Sequence, residues 1–283
     1  MHRLAPLSLL VAGLGSAVAL GGLAVAGQVS TQNGKRCPTA TFPNLAVVSG
    51  AGASYAKPRV KATCSNTQLI VTSNGMIGYR FVPKTPNALA EQDWTWTVTR
   101  TPKVATKPTS IRNVLGTLGF TVTGLPIYGP TEGPVPANEA FGDPVYNGIL
   151  DSCGGHTGPG AEYHNHALHS VLACNLKPGA VVGYALDGFP IYGPTGCLNT
   201  SCTRAATMRS GYVKTGNPKA NSWNAYAYRA TGATNVLDKC NGRIEPDGSY
   251  GYHATFAFPY IIGCFTGTPN RQTGNARAPM PPM

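Results

Sequence analysis

The chain is predicted to be mainly β, loop-rich and disulfide-bonded with little helix, built from a two-copy internal duplication packed with pseudo-two-fold symmetry. Three observations predict this. The first is an internal repeat: residues 150–167 and 237–254 align without a gap and agree at 8 of 18 positions, namely Leu, Asp, Cys, Gly, Pro, Tyr, His and Ala. Upstream of each copy stands a shorter match, Gly124-Leu-Pro-Ile-Tyr-Gly-Pro-Thr131 and Gly188-Phe-Pro-Ile-Tyr-Gly-Pro-Thr195, identical at 7 of 8 positions. The second is composition: of 283 residues only 12% are charged, while 35 are Gly and 24 are Pro. With plentiful Thr and Asn, that balance favours short strands and turns. The third is the lack of any long apolar period of 3.6 residues, the mark of an amphipathic helix.

The elements follow in order. Met1-His2-Arg3 is a short basic start, Leu4 to Val25 is apolar and small, and Ala24-Val25-Ala26 is an A-x-A site. Residues 1–26 therefore read as a signal peptide cut after Ala26, which predicts a secreted or periplasmic protein. No later stretch is apolar enough to span a membrane. About 257 residues remain, enough for one large or two modest domains. Residues 27–109 read as a basic N-terminal β region. Within it, Leu69 to Val82 is two β-prone runs around Asn74-Gly75, a hairpin signal. Trp94 to Thr99 alternates apolar residues with threonine as a half-buried strand does, and Pro102 and Pro108 limit its extension. Ile111 to Gly124 reads as a strand pair. Each Gly-x-Pro-Ile-Tyr-Gly-Pro element reads as a turn, a short strand and a second turn, because Gly and Pro on both sides forbid a helix. Val181 to Leu186 reads as a buried strand. The Pro-rich end, residues 268–283, reads as a disordered tail.

Charge is uneven along a chain of net charge +11. Residues 27–112 hold 11 Lys and Arg against Glu91 and Asp93 alone. Such a stretch suits either a solvated surface or an anionic envelope polymer. No nucleic-acid signature accompanies it, so no specific nucleic-acid partner is expected.

Eight cysteines in an exported chain predict disulfides, for which sequence alone permits 105 connectivities. The repeat narrows them. Cys153 and Cys174 match Cys240 and Cys264 as equivalent bridges, Cys197 and Cys202 close a loop inserted in the second copy, and Cys37 is left with Cys64.

Of 6 histidines, four lie between residues 156 and 169. His164 and His166 are two apart, so on a strand they share a face at a Cα spacing of ~6.5 Å. Two imidazoles so placed can meet on one ion at bonds of ~2.0–2.1 Å. His156 or Asp151 completes the set from the preceding loop, and His253 reaches in from the other copy. An imidazole-rich set suits zinc, copper, iron or nickel over calcium or magnesium, and copper or zinc is the ion expected. A plainer reading stands beside this one, in which the rings are buried and Asp151 and Asp238 cap turns by Asx geometry.

Asp151-x-Cys-Gly-Gly-His156, Tyr163-His-Asn-His166, Gly183 to Pro194, Leu237-Asp-x-Cys-Asn-Gly242, Tyr250-Gly-Tyr-His253 and Phe258 to Cys264 together resemble the secreted YHYH-domain proteins, a family named for its Tyr-His-Tyr-His signature. The resemblance runs from about 110 to 267 and implies a duplicated YHYH domain over residues 110–267. Two departures stand out: Asn165 takes the place of the second Tyr in the first copy, and Gly251 that of the first His in the second. The family's His after an upstream Asn-Gly-Ile-Pro turn is also missing at Asn74-Gly75-Met-Ile-Gly-Tyr79.

Three functional readings follow. The first is a transition-metal-binding protein with His164, His166 and His253 as leading ligands and His156 and Asp151 next. The second is an extracellular metal-assisted or Asp/His hydrolase using Asp151 and a histidine. The third is an envelope or anionic-polymer interaction module acting through residues 27–112. Whether a reaction is catalysed stays open.

Overall fold

Residues 36–133, 142–168, 174–175 and 180–270 are described by a computed structural model. The expected signal segment, the chain beyond Asn270 and His169 lie outside the described residues. In chain order the strands are β1 (Val60–Cys64), β2 (Gln68–Ser73), β3 (Trp94–Thr99), β4 (Thr109–Ser110), β5 (Gly119–Thr121), β6 (Pro126–Ile127), β7 (Gly155–Thr157), β8 (Tyr163–Asn165) and β9 (Val181–Ala185). They continue as β10 (Pro190–Tyr192), β11 (Thr195–Cys197), β12 (Ala205–Thr207), β13 (Tyr212–Lys214), β14 (Tyr226–Tyr228), β15 (Gly242–Ile244), β16 (Tyr250–His253) and β17 (Cys264–Phe265). Among the described residues, helix is confined to α1 (Ser222–Ala225) and two 3-10 turns, at Pro38–Thr41 and Leu45–Val47. The protein is mainly β.

Alternation in the N-terminal region sets one packing face. β1, β2 and β3 form an antiparallel sheet in which Trp94, Trp96 and Val98 are buried and Thr95 is exposed. The tryptophans stack on each other at 5.6 Å, and Trp96 stacks on Phe120 of β5 at 5.1 Å. The N-terminal sheet and the repeats therefore share one hydrophobic core. The hairpin expected at Asn74-Gly75 does not form: β2 turns back through β1 and pairs onward with β3. The Asn74 amide is instead spent on the backbone of Lys57 and Arg59 and on Glu91. Met76 and Ile77 then bury as loop residues in a second small cluster with Leu89, Leu125 and Tyr163. Of the expected strand pair at 111–124, only β5 is strand.

The repeats build one eight-stranded sheet in the order β15-β16-β10-β9-β5-β6-β8-β7. That order reads the same outward from its centre once repeat-matched strands are identified. At the centre β5 and β9 run antiparallel with Phe120 opposite Tyr184, residues that the repeat matches to each other. Farther out, Ile127 pairs with Asn165 as Ile191 pairs with Tyr252, and His156 pairs with His164 as Arg243 pairs with Gly251. This corrects the expected pocket shared between units. The units extend one sheet edge to edge through backbone hydrogen bonds, so β8 and β16 stand five strand positions apart, roughly 24 Å along the sheet at ~4.8 Å per step.

Cystines tie down the loops. They join Cys37–Cys64, Cys153–Cys174, Cys197–Cys202 and Cys240–Cys264, the four pairs expected from the repeat. No helix among the described residues is long and apolar enough to cross a membrane. Asn270, the last described residue, bonds to Leu186 and Thr97.

Candidate metal centre

Two segments of the first copy build the site. β7 and β8 are antiparallel with His156 directly opposite His164, which sets both rings on one face. His166 follows two residues on and joins them. The three ring centroids lie 4.7, 5.1 and 5.0 Å apart, all roughly edge to face. The second segment is the turn after β6. Its Tyr128 ring stacks on His164 at 3.9 Å. Gly129 offers its carbonyl oxygen to His166 Nδ1 at 2.6 Å, and Glu132 carries a carboxylate to the rings.

Hydrogen bonding decides which ring nitrogens are available. A carbonyl only accepts, so His166 Nδ1–H donates to Gly129, which turns Nε2 toward Glu132. His166 Nε2 lies 3.3 Å from Glu132 Oε2. His156 Nε2 lies 2.9 Å from Glu132 Oε2 and 2.9 Å from His164 Nε2. Neither Glu132 Oε2 nor His166 Nε2 makes a properly directed hydrogen bond among the described residues. One ligand atom from each of Glu132, His156, His164 and His166 lies within 4.8 Å of all the others. A tetrahedral ion with bonds of ~2.0–2.2 Å sets its ligand atoms roughly 3.3–3.6 Å apart, inside the observed spread. The spacing and type of these four ligand atoms therefore fit a shared cation.

Electrostatics favours the ligand forms. His156, His164 and His166 are 4%, 3% and 1% exposed, whereas the Glu132 side chain is 31% exposed and marks the open side. Burial pushes the Glu132 carboxyl up, but the imidazoles of His156 and His166 beside it outweigh burial and hold the group well below the usual carboxylate range. Burial, with the neighbouring His166 and His156, holds His164 well below the usual imidazole value. An ionised carboxylate and a neutral imidazole are the states a metal requires.

Two residues expected in this set lie elsewhere. Asp151 accepts from the Cys153 and Gly155 amides at 2.8 and 3.3 Å and from the Tyr163 hydroxyl at 2.8 Å. It caps a turn, the plainer of its two readings, and Asp238 repeats the pattern with Cys240, Gly242 and Tyr250. His253 is carried by the far end of the sheet to Glu245 and the Gly193 carbonyl, at 2.7 and 2.9 Å. Glu132 was not anticipated. Its signal is a difference between the copies: it is the first residue after the near-identical Gly124–Thr131 block, where the other copy has Gly196.

The YHYH family model, described as YHYH protein, matches residues 95–267. No curated protein and no solved structure matches the chain.

Proposed function

From the premise that this chain belongs to the YHYH family, we propose that it is an extracytoplasmic protein that binds one transition-metal ion through Glu132, His156, His164 and His166. The observation that carries the reading is the convergence of four ligand atoms from Glu132, His156, His164 and His166, each within 4.8 Å of the others. Second-layer contacts support it: Gly129 fixes the His166 tautomer, and Tyr128 stacks on His164. The donor set of three imidazoles and one carboxylate suits zinc or copper and excludes a calcium-type oxygen cage. All eight cysteines are cystines, which leaves no thiolate to compete and favours an oxidising compartment. Four protein ligands around one point favour holding an ion over hydrolysis, because catalytic zinc sites keep one position for water.

The test is retention. The oxidised full chain is stripped with chelator, loaded with zinc or copper, desalted and analysed for metal. A single ion per chain is expected, lost in His164→Ala and His166→Ala. A folded wild-type chain that retains none overturns the reading.

A further inference from the structure

The two repeat-related sites share one frame and differ in what fills it. In each, the last histidine gives Nδ1–H to the matching turn glycine, His166 to Gly129 and His253 to Gly193. In each, one carboxylate oxygen is shared between that histidine and the matching residue of the preceding strand. Glu132 Oε2 lies between His166 and His156, at 3.3 and 2.9 Å. Glu245 Oε1 lies between His253 Nε2 and Arg243 Nε, at 2.7 and 3.0 Å.

The carboxylate reaches this common place from opposite sides. Position 132 matches Gly196, and position 245 matches Gly158, so each copy has glycine where the other has its acid. A Cβ on Gly196 would meet His253 Cε1 at 2.9 Å and Arg243 Nη2 at 3.1 Å, which leaves no room there for a second acid. His164 has no counterpart at Gly251, where a Cβ would meet the Tyr192 ring at 2.5 Å. Tyr192, the match of Tyr128, thus leans into the vacated space and sits over His253 at 5.3 Å and 32°, where Tyr128 meets His166 edge-on.

In the second copy the carboxylate meets His253 directly, at 2.7 Å. Arg243 adds positive charge to the same carboxylate. Its Nη2 donates to Glu245 Oε2 and to the Cys197 carbonyl, both at 2.6 Å, and with Nε forms a two-pronged grip on the carboxylate. A guanidinium never gives up its proton under these conditions and cannot diffuse away. Access is not the barrier. A cavity of about 170 Å³ opens against Tyr192, Thr195, Cys197, Glu245 and His253.

We propose that Arg243 is a resident cation: its guanidinium takes the place that His156 has in the first copy, grips the Glu245 carboxylate, bars divalent metal from Glu245 and His253, and limits the chain to one bound ion. The count of one rests on the ion-binding reading of the first copy; the exclusion at the second does not.

Zinc retention by the oxidised full chain separates the two. Wild type is expected to hold a single ion, His156→Ala none, and Arg243→His a second ion on the substituted imidazole with Glu245 and His253. The double variant His156→Ala/Arg243→His is expected to hold one. Zinc still retained by His156→Ala and lost on adding Glu245→Ala overturns the proposal, as does an Arg243→His chain with native near-UV dichroism and no added ion. Should wild type hold no zinc, the first-copy reading fails, while a gain in Arg243→His still upholds the exclusion and its absence still overturns it. Arg243→Gln, which keeps the length and removes the charge, gives the same comparison if the imidazole disturbs folding.

Discussion

Zinc added to the ion-free chain should raise its thermal midpoint, by an amount that follows from linkage. The proposed ligands come from the turn after β6 and from the β7–β8 hairpin, segments brought together by the parallel pairing of Ile127 with Asn165 and by the bond of His166 to Gly129. An unfolded chain has no such convergence, so the ion binds the native state selectively. At a free zinc concentration of 100 times the dissociation constant, the native state gains about 2.7 kcal/mol. For a chain of this size each kcal/mol moves the midpoint by ~2–4 °C, so the expected rise is about 5–11 °C. His166→Ala is the informative comparison. Removing a ring that is 1% exposed leaves a cavity and an unpaired Gly129 carbonyl, so its midpoint falls for reasons unrelated to metal. The diagnostic quantity is therefore the increment caused by zinc, read by scanning calorimetry with and without chelator. That increment should vanish in His166→Ala at the same zinc concentration. An equal increment in wild type and variant would refute the reasoning, because the ion would then be binding somewhere other than this convergence.

Three further outcomes are expected. Tyr163→Phe removes the hydroxyl that donates to buried Asp151 and accepts from Tyr79, and the lost bonds should cost ~1–3 kcal/mol in urea denaturation; an unchanged stability would show that the turn amides alone hold Asp151. Opening Cys153–Cys174, with a separation of 21, should cost more than opening Cys197–Cys202, with a separation of 5; chain entropy gives about 3.3 against about 2.1 kcal/mol, and the reverse order in paired Cys→Ser variants would contradict it. Asp187 is raised above the usual carboxylate range by burial, in spite of bonds from Tyr252 and the Gly267 amide. Its neutral form is thus the one the fold prefers, so its contribution is present below the unfolded value of ~3.9 and is lost as pH rises through the folded value. Asp187→Asn should accordingly gain on wild type in urea midpoint between pH 4 and pH 7, and parallel curves would rule this out.

Local chemistry was legible in the chain itself. Alternation at Trp94–Thr99, Gly and Pro around the Pro-Ile-Tyr elements, and the repeated Asp, Cys, Gly and Tyr all act over a few residues. They specified a β fold, an Asx turn at Asp238 and the cystine pairs, and left Asp151 between a turn cap and a ligand. The i, i+2 spacing of His164 and His166 on an extended segment likewise determined that they share a face, and His156 enters because its strand pairs directly with theirs. The Asn74-Gly75 hairpin failed because Asn74 found backbone partners in a distant strand end, a contact that propensity does not contain.

Tertiary structure alone decided which acid meets the histidines and which copy supplies them. Sequence matching rewards what the copies share, whereas the site depends on where they differ: Glu132 against Gly196, His156 against Arg243, His164 against Gly251. Strand order carries the rest. Backbone hydrogen bonding between β5 and β9 spreads the units along one sheet, so His253 belongs to its own half, while the turn after β6, laid parallel to β8, brings Glu132 to rings that follow it by two dozen residues or more. Non-local pairing of that kind is set by the burial of whole strands, and no short window of residues encodes it.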